Sequence, residues 1–366
     1  MNQSHKKVPL VRIIKRDSIT MMHSLLIRLV GIVLALSVSA VIIYAIVKLN
    51  PIKVYIAMFE GNFGSINRVW VFLRDMAMLL CIGVALAPAF KMRFWNIGAE
   101  GQILAGGMAT AAVMIYFGDT LPTALLLVVA LVASIIAGAL WGAFPAFFKA
   151  RFGTNEVLFT LMMNYVAIQL TSYCVALWEN PFGSNTVGII NQMDKAGWFP
   201  ALLGQKYLLN LIIVAVITVM VYIYLRYTKQ GYQIAVVGES QKTARYIGIN
   251  VNKTIVRTMI ISGAICGLAG YIAVAGSSHT ISINTAGGRG FTAIIVAWLA
   301  KFNTFIMILI AALLVFMEKG AMQIASQYNL NDYVSQVITG IILFFILGSE
   351  FFAQYRLIFR SRKEMK

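Results

Sequence analysis

The chain has 366 residues, of which 60% are hydrophobic and only 12% charged, with a mean hydropathy of +0.81. Soluble domains are about one-quarter charged, and apolar runs of the ~20 residues needed to cross a bilayer recur here, so composition excludes a soluble protein. A transmembrane barrel is excluded too, since it would show alternating segments of ~10 residues. The net charge of +17 is not gathered into one patch, as nucleic-acid binding would require; Lys and Arg lie between the apolar runs, as the positive-inside rule distributes them.

In chain order, a basic arm over residues 1–28 comes first, with Lys6, Lys7, Arg12, Lys15, Arg16 and Arg28. The apolar run 29–47 that follows is longer than the ~7–15 residues of a signal-peptide core and continues past Ser37–Ala40, so it reads as an uncleaved span. Further spans are expected near 76–90, 101–118, 122–148, 156–178, 207–225, 258–276, 291–300, 303–318 and 333–349. The fold expected is thus an all-α polytopic membrane domain over 29–350 with about ten transmembrane helices. Segments 76–90 and 291–300 are short for a full crossing and are candidates for extended, broken or re-entrant helices. With the N-terminus in the cytoplasm, alternation puts Lys91, Arg93, Lys149, Arg151, the 226–257 cluster, Lys301 and the basic tail 351–366 inside, and both termini are cytoplasmic. Outer segment 51–75 reads as partly helical, and 178–206, with Pro181, Gly183, Pro200 and Gly204, as an irregular loop. Small-residue spacings at Gly263, Gly267 and Gly270, and at Gly101, Ala105 and Ala109, suit close helix packing.

Chemistry-bearing patterns are sparse. There is no phosphate-cradling GxxxxGK[ST] loop and no HExxH, and Cys81, Cys174 and Cys266 lie singly in apolar runs, so neither disulfides, a metal site nor a cofactor is expected. Few ionisable residues fall deep in the expected spans, which counts against proton- or sodium-coupled carriers. Three polar clusters stand out. In FWNIGAEGQ, Phe94–Gln102, Asn96 is a candidate cap for the next helix, Glu100 suits its first turn, and Gly98 and Gly101 permit close approach. In GTNEVLFTLMMNYVAIQ, Thr154 or Asn155 can cap and Glu156 suits the first turn. Asn164 and Gln169 fall inside the apolar run, where an amide either bonds to another helix or lines a polar path. In VGESQKTARYIGIN, turn glycines Gly238 and Gly248 flank a short amphipathic helix around 241–247, whose Tyr246, Ile247 and Ile249 beside Lys242 and Arg245 suit docking on a cytoplasmic partner or lying on the membrane surface.

These three motifs, in this order, resemble the permease subunits of bacterial ABC importers of the branched-chain amino acid and simple-sugar family, most of all its nucleoside-type branch; the similarity runs from about Met78 to Leu347. The resemblance implies a transport subunit, not an enzyme. It would be paired with a second permease, a cytoplasmic ABC ATPase and an extracellular substrate-binding lipoprotein, in a bacterial cell membrane. It also implies ATPase coupling through Gly238, Lys242, Ala244, Arg245, Tyr246, Gly248 and Ile249. Asn96, Glu100, Gln102, Asn155, Glu156 and Asn164 are expected to form a polar gating layer, joined in the path by Phe291 and Thr292. One departure stands in GRGFTAIIVAWLA, Gly288–Ala300: related permeases commonly have aspartate and glycine where this chain has Thr292 and Ala293. The solute expected is a nucleoside, with simple sugars or branched-chain amino acids as alternatives and a non-transporting membrane scaffold as a reading of another class.

Overall fold

The computed structural model describes residues 11–15, 21–48, 50–329 and 355–359, with isolated positions between 337 and 352. The chain divides into two units, one of residues 66–315 and the other of residues 1–65 with 316–366.

In the larger unit the helices are α3 (Ile66–Lys91), α4 (Ala99–Phe117), α5 (Thr123–Phe152), α6 (Glu156–Leu177), α7 (Leu208–Tyr227), α8 (Lys229–Glu239), α9 (Gln241–Tyr246), α10 (Val251–Ala273) and α11 (Arg289–Leu299), with the first part of α12 (Thr304–Gln327). A π-helical turn, Val274–Ser278, continues α10. Helix α10 is central and packs on α5, α4 and α3. Its approach to α5 is backbone to backbone: a Cβ at Gly267 would overlap the Ser134 carbonyl oxygen, and one at Gly263 the Gly138 carbonyl oxygen. Lipid offers no hydrophobic drive for helices to associate, so such close contact supplies the packing.

The smaller unit contains α1 (Met21–Val47), α2 (Pro51–Phe63) and the last part of α12, with β1 (Val11–Lys15) paired antiparallel to β2 (Tyr355–Phe359). Its core holds Ala35, Ile43, Val54, Met58, Met317 and Ile324. Tyr55 donates its hydroxyl to the Leu36 carbonyl, and Asn62 Nδ2 donates to Met58 O at 2.9 Å and Phe316 O at 3.0 Å.

Among the described residues, six helices are long and apolar enough to cross a membrane: α3, α5, α6, α7, α10 with its π turn, and α12. The chain is a mostly helical, multi-pass membrane protein. Segment 76–90 is not short: α3 starts at Ile66 and runs 26 residues. The charges of Arg68, Arg74 and Asp75 hide its first half from a hydropathy reading. Asp75, 2% exposed, is neutralised by Arg74 at 2.9 Å and Arg289 at 3.3 Å, so an ionised cluster does lie within the helical bundle where few were expected. Segment 291–300 does stay short, because α11 has 11 residues, about 16 Å at 1.5 Å per residue, against a hydrocarbon core of ~30 Å. Non-helical residues 279–288 lead into it. Most of the expected span 333–349, and parts of the arm 1–28 and tail 351–366, lie outside the described residues.

Candidate functional site

The Phe94–Gln102 stretch is a hub of buried hydrogen bonds. Asn96 does not cap α4; Gly98 holds that position without a side-chain bond. Instead Asn96 Oδ1 accepts from Gly98 N at 3.0 Å and from Gln102 Nε2 at 3.3 Å, while its Nδ2 reaches Ser262 Oγ on α10 at 3.3 Å. Asn96 and Gln102, 0% and 1% exposed, therefore lock the entry of α4 against α10.

Asn164 on α6 meets the same segment from the other side. Its Oδ1 accepts from Gly101 N and its Nδ2 donates to Ile97 O, both at 2.9 Å. Gly101 N is one of the first-turn amides that a helix cannot satisfy internally, so Asn164 acts as a cap supplied from another helix. A Cβ at Gly101 would sit 3.1 Å from Asn164 Oδ1 and 2.9 Å from Trp141 Nε1, so glycine is what lets the amide in. Glu100 does the reciprocal service for α11: its carboxylate accepts from Gly290 N at 3.2 Å, where the positive end of that helix favours a negative charge.

Between these bonds lies a cavity of about 260 Å³ lined by Glu100, Asn164, Tyr165, Asn284, Gly288 and Phe291, among others. Its apolar wall has two exposed aromatic rings, Tyr165 and Phe291, and its polar groups converge from α4, α6 and the 279–288 segment. A second cavity, about 230 Å³, is lined by Arg74, Asp75, Ser277, Ser278, Thr280, Ser282, Asn284, Thr285 and Arg289. The two share Asn284. Non-helical backbone at membrane depth is tolerated where it lines a cavity, and broken helices at that depth form the solute sites of many transporters.

Of the expected path residues, the cavity brings together Glu100, Asn164 and Phe291. Asn96 and Gln102 lie behind it in the α4–α10 seam. Asn155 and Glu156 are at the α5–α6 turn: Asn155 caps α6, accepting from Val157 N at 3.0 Å, and Glu156 pairs with Lys149 at 2.7 Å. Thr292 donates to Gly288 O at 3.3 Å within its own helix and does not line the cavity; Gln169 is exposed on α6. The polar residues thus form three separate groups rather than one layer. Tyr165, Asn284 and the Arg74–Asp75–Arg289 cluster were not anticipated. The Ser-Ser-His-Thr-Ile-Ser-Ile-Asn-Thr run from Ser277, polar between two apolar stretches, was the signal available for Asn284.

The expected docking segment is more ordered than a loop. Thr228 caps α8 and Ser240 caps α9. Gly238 is no turn residue; it is buried inside α8, where a Cβ would overlap the Lys91 carbonyl oxygen. Gly248 does make a turn, with φ +83°. Ala244 is the buried anchor of α9, while Lys242, Arg245, Tyr246 and Ile247 are exposed and Tyr246 is 92% accessible. At the other end of α10, the irregular 178–206 loop is tied down: Ile190 N donates to His279 O at 2.8 Å and Phe199 N to Ala275 O at 3.0 Å. Trp198 stacks on His279 at 3.7 Å. Burial, and then the Lys206 ammonium, lower the imidazole's pKa.

The residues 68–347 match the family described as branched-chain amino acid transport system / permease component. The guanosine ABC transporter permease protein NupP of Bacillus subtilis (strain 168) is 31% identical over 338 residues, covering 89% of this chain and 93% of that one. The nucleoside ABC transporter permease protein NupB of Lactococcus lactis subsp. cremoris is 28% identical, covering 88% and 91%. The glucose ABC transporter permease protein TsgB13 of Haloferax volcanii is 27% identical, covering 88% and 87%. With a match across both cavities, the α8–α9 segment and most of the helical bundle, the chain belongs to the branched-chain amino acid transport system permease family, as a non-catalytic, multi-pass membrane transport component.

Proposed function

We propose that this chain is the permease subunit of an ATP-driven importer for nucleosides, and that the solute passes the cavity bounded by Glu100, Asn164, Asn284, Tyr165 and Phe291. The observation carrying this reading is the make-up of that cavity. Aromatic rings offer a stacking face to a base, amides offer donors and acceptors to its edge, and a carboxylate accepts from sugar hydroxyls. The names of NupP and NupB support the same solute class. Asn96, Gln102, Asn155 and Glu156 then position the gate rather than touch the solute, and Thr292 stiffens the first turn of α11.

A second permease completes the path, an extracellular lipoprotein delivers the solute, and a cytoplasmic ABC ATPase docks on Gly238–Ile249, with Tyr246 as its most exposed contact. About ten crossings place both termini, the basic arm 1–28 and the tail 351–366, in the cytoplasm of a bacterial cell. A simple sugar is the second reading, favoured by the likeness to the glucose permease; branched-chain amino acids, in the family's description, come third.

The test is uptake of radiolabelled guanosine and uridine by cells with and without the gene, with unlabelled ribose, glucose and leucine as competitors. Loss of nucleoside uptake on deletion, restored by the intact gene and untouched by the competitors, is expected. Unchanged nucleoside uptake moves the solute to a sugar or amino acid. Tyr246→Ala is expected to reduce uptake at least tenfold while the protein still reaches the membrane.

A further inference from the structure

A third cavity, about 220 Å³, is lined by Lys91, Tyr222, Leu225, Arg226, Lys301, Phe302, Asn303 and Thr304. It lies where the ends of α3 and α7 meet the α11–α12 turn. Three of its lining residues are cationic and none is acidic. Lys91 and Arg226 each stand at a helix C-terminus, where the helix dipole favours a positive charge; Lys91 Nζ also donates to Leu225 O at 3.4 Å. Lys301 likewise directly follows the C-terminus of α11, so three helix ends bring their cations to one cavity. It also precedes the N-terminus of α12, the end that repels cations and attracts anions. Its left-handed backbone, with φ +49° at Lys301 and +62° at Phe302, closes α11 as a helix cap, Lys301 N donating to Trp298 O at 3.0 Å and Phe302 N to Ala297 O at 3.1 Å. A separate observation points to a ligand at this helix start: Thr304 is 2% exposed, and its Oγ1 has no hydrogen-bond partner.

The surroundings indicate the source of the anion. Tyr222 packs edge-on to Phe305 at 4.9 Å, and Phe302 lies against Trp298 at 5.5 Å. Aromatic rings of this kind collect at headgroup depth. Below the cavity, α12 exposes Phe305, Ile306 and Leu309, and α7 exposes Val219 and Ile223, an apolar surface for acyl chains. Basic pockets between transmembrane helices bind anionic headgroups.

We propose that this cavity is a binding site for an anionic phospholipid, its phosphate held by Lys91, Arg226, Lys301 and the Thr304 hydroxyl at the start of α12. The site is separate from the solute cavity and does not depend on which solute is carried.

The full chain, purified with whatever subunits accompany it, is examined by native mass spectrometry after exposure to phosphatidylglycerol or phosphatidylcholine. Retention of phosphatidylglycerol is expected to exceed that of phosphatidylcholine about tenfold. In the double variant R226Q/K301Q the preference falls at least fivefold, while Arg151→Gln at the α5 terminus leaves it unchanged; equal phosphatidylcholine retention by all three proteins shows that they are folded. Equal retention of the two lipids by the unaltered protein overturns the proposal, as does a preference that survives the double variant. Displacement of phosphatidylglycerol by millimolar inorganic phosphate would make this a free-anion site and also overturn it. So would unchanged lipid retention with loss of a co-purifying ATPase, which would give the cavity to a protein partner.

Discussion

Asn164 uses both ends of its amide on the segment it faces, Oδ1 to Gly101 N and Nδ2 to Ile97 O, which leaves one N–H and one oxygen lone pair, and it lines the 260 Å³ cavity. Of the two readings of an intramembrane amide, the interhelical bond is made, and the path-lining role proposed above falls to the same residue. Replacing it by leucine leaves two buried backbone groups unpaired at about 1–3 kcal/mol each. Asn164→Leu is expected to lower the thermal unfolding midpoint of the detergent-solubilised protein and to abolish uptake. Asn164→Asp keeps the acceptor for Gly101 and is expected to retain more stability than the leucine variant. Equal midpoints for wild type and leucine variant would show that the two bonds contribute nothing. At this scale the sequence showed which residues were out of place in an apolar chain: Asn96, Glu100, Gln102 and Asn164 are all buried. Their partners were hidden because Ser262 is 166 residues from Asn96, and Gly290 is 190 residues from Glu100.

The elements are held by contacts that tolerate no added atom. At Gly267 the neighbours are backbone atoms of α5, which cannot swing aside as a long side chain would. Gly267→Val is therefore expected to separate α10 from α5 and to reduce folded protein in the membrane fraction severalfold, measured by size-exclusion recovery. The equivalent change at Gly248, where a Cβ meets nothing within 4 Å but φ is +83°, is expected to cost only the strain of the turn. The small-residue spacing at Gly263 and Gly267 was readable in advance, because its purpose is local to one helix face. The start of α3 was not. Hydropathy counts Arg74 and Asp75 as a break, and only the arrival of Arg289 from 214 positions later makes an ion cluster of them. Gly238 was misread for a related reason: a glycine at a turn and a glycine under a backbone crossing look the same until the crossing chain, here Lys91 O, is known.

For the molecule as a whole, the proposed topology puts the 178–206 loop and the α8–α9 segment on opposite sides of the membrane. Met193 and Tyr246 are 96% and 92% exposed, so single cysteines there, in a chain whose three native cysteines are replaced by alanine, report sidedness directly. A membrane-impermeant maleimide is expected to label Met193→Cys in intact cells and Tyr246→Cys only after permeabilisation. The reverse pattern would invert the topology and remove the docking role of α9. Composition was enough for membrane residence, helical class and the positions of most long helices, because these follow from the transfer energy of continuous apolar segments, a property of each segment alone. Motif order was enough to point to the family. The shortness of segment 291–300 was legible in the sequence; the tertiary structure alone decided that a non-helical segment feeds α11, that Asn284 lines two cavities, and that the polar residues split into three groups. Those outcomes depend on which distant backbone amide or charge meets each polar side chain, and no single segment carries that information.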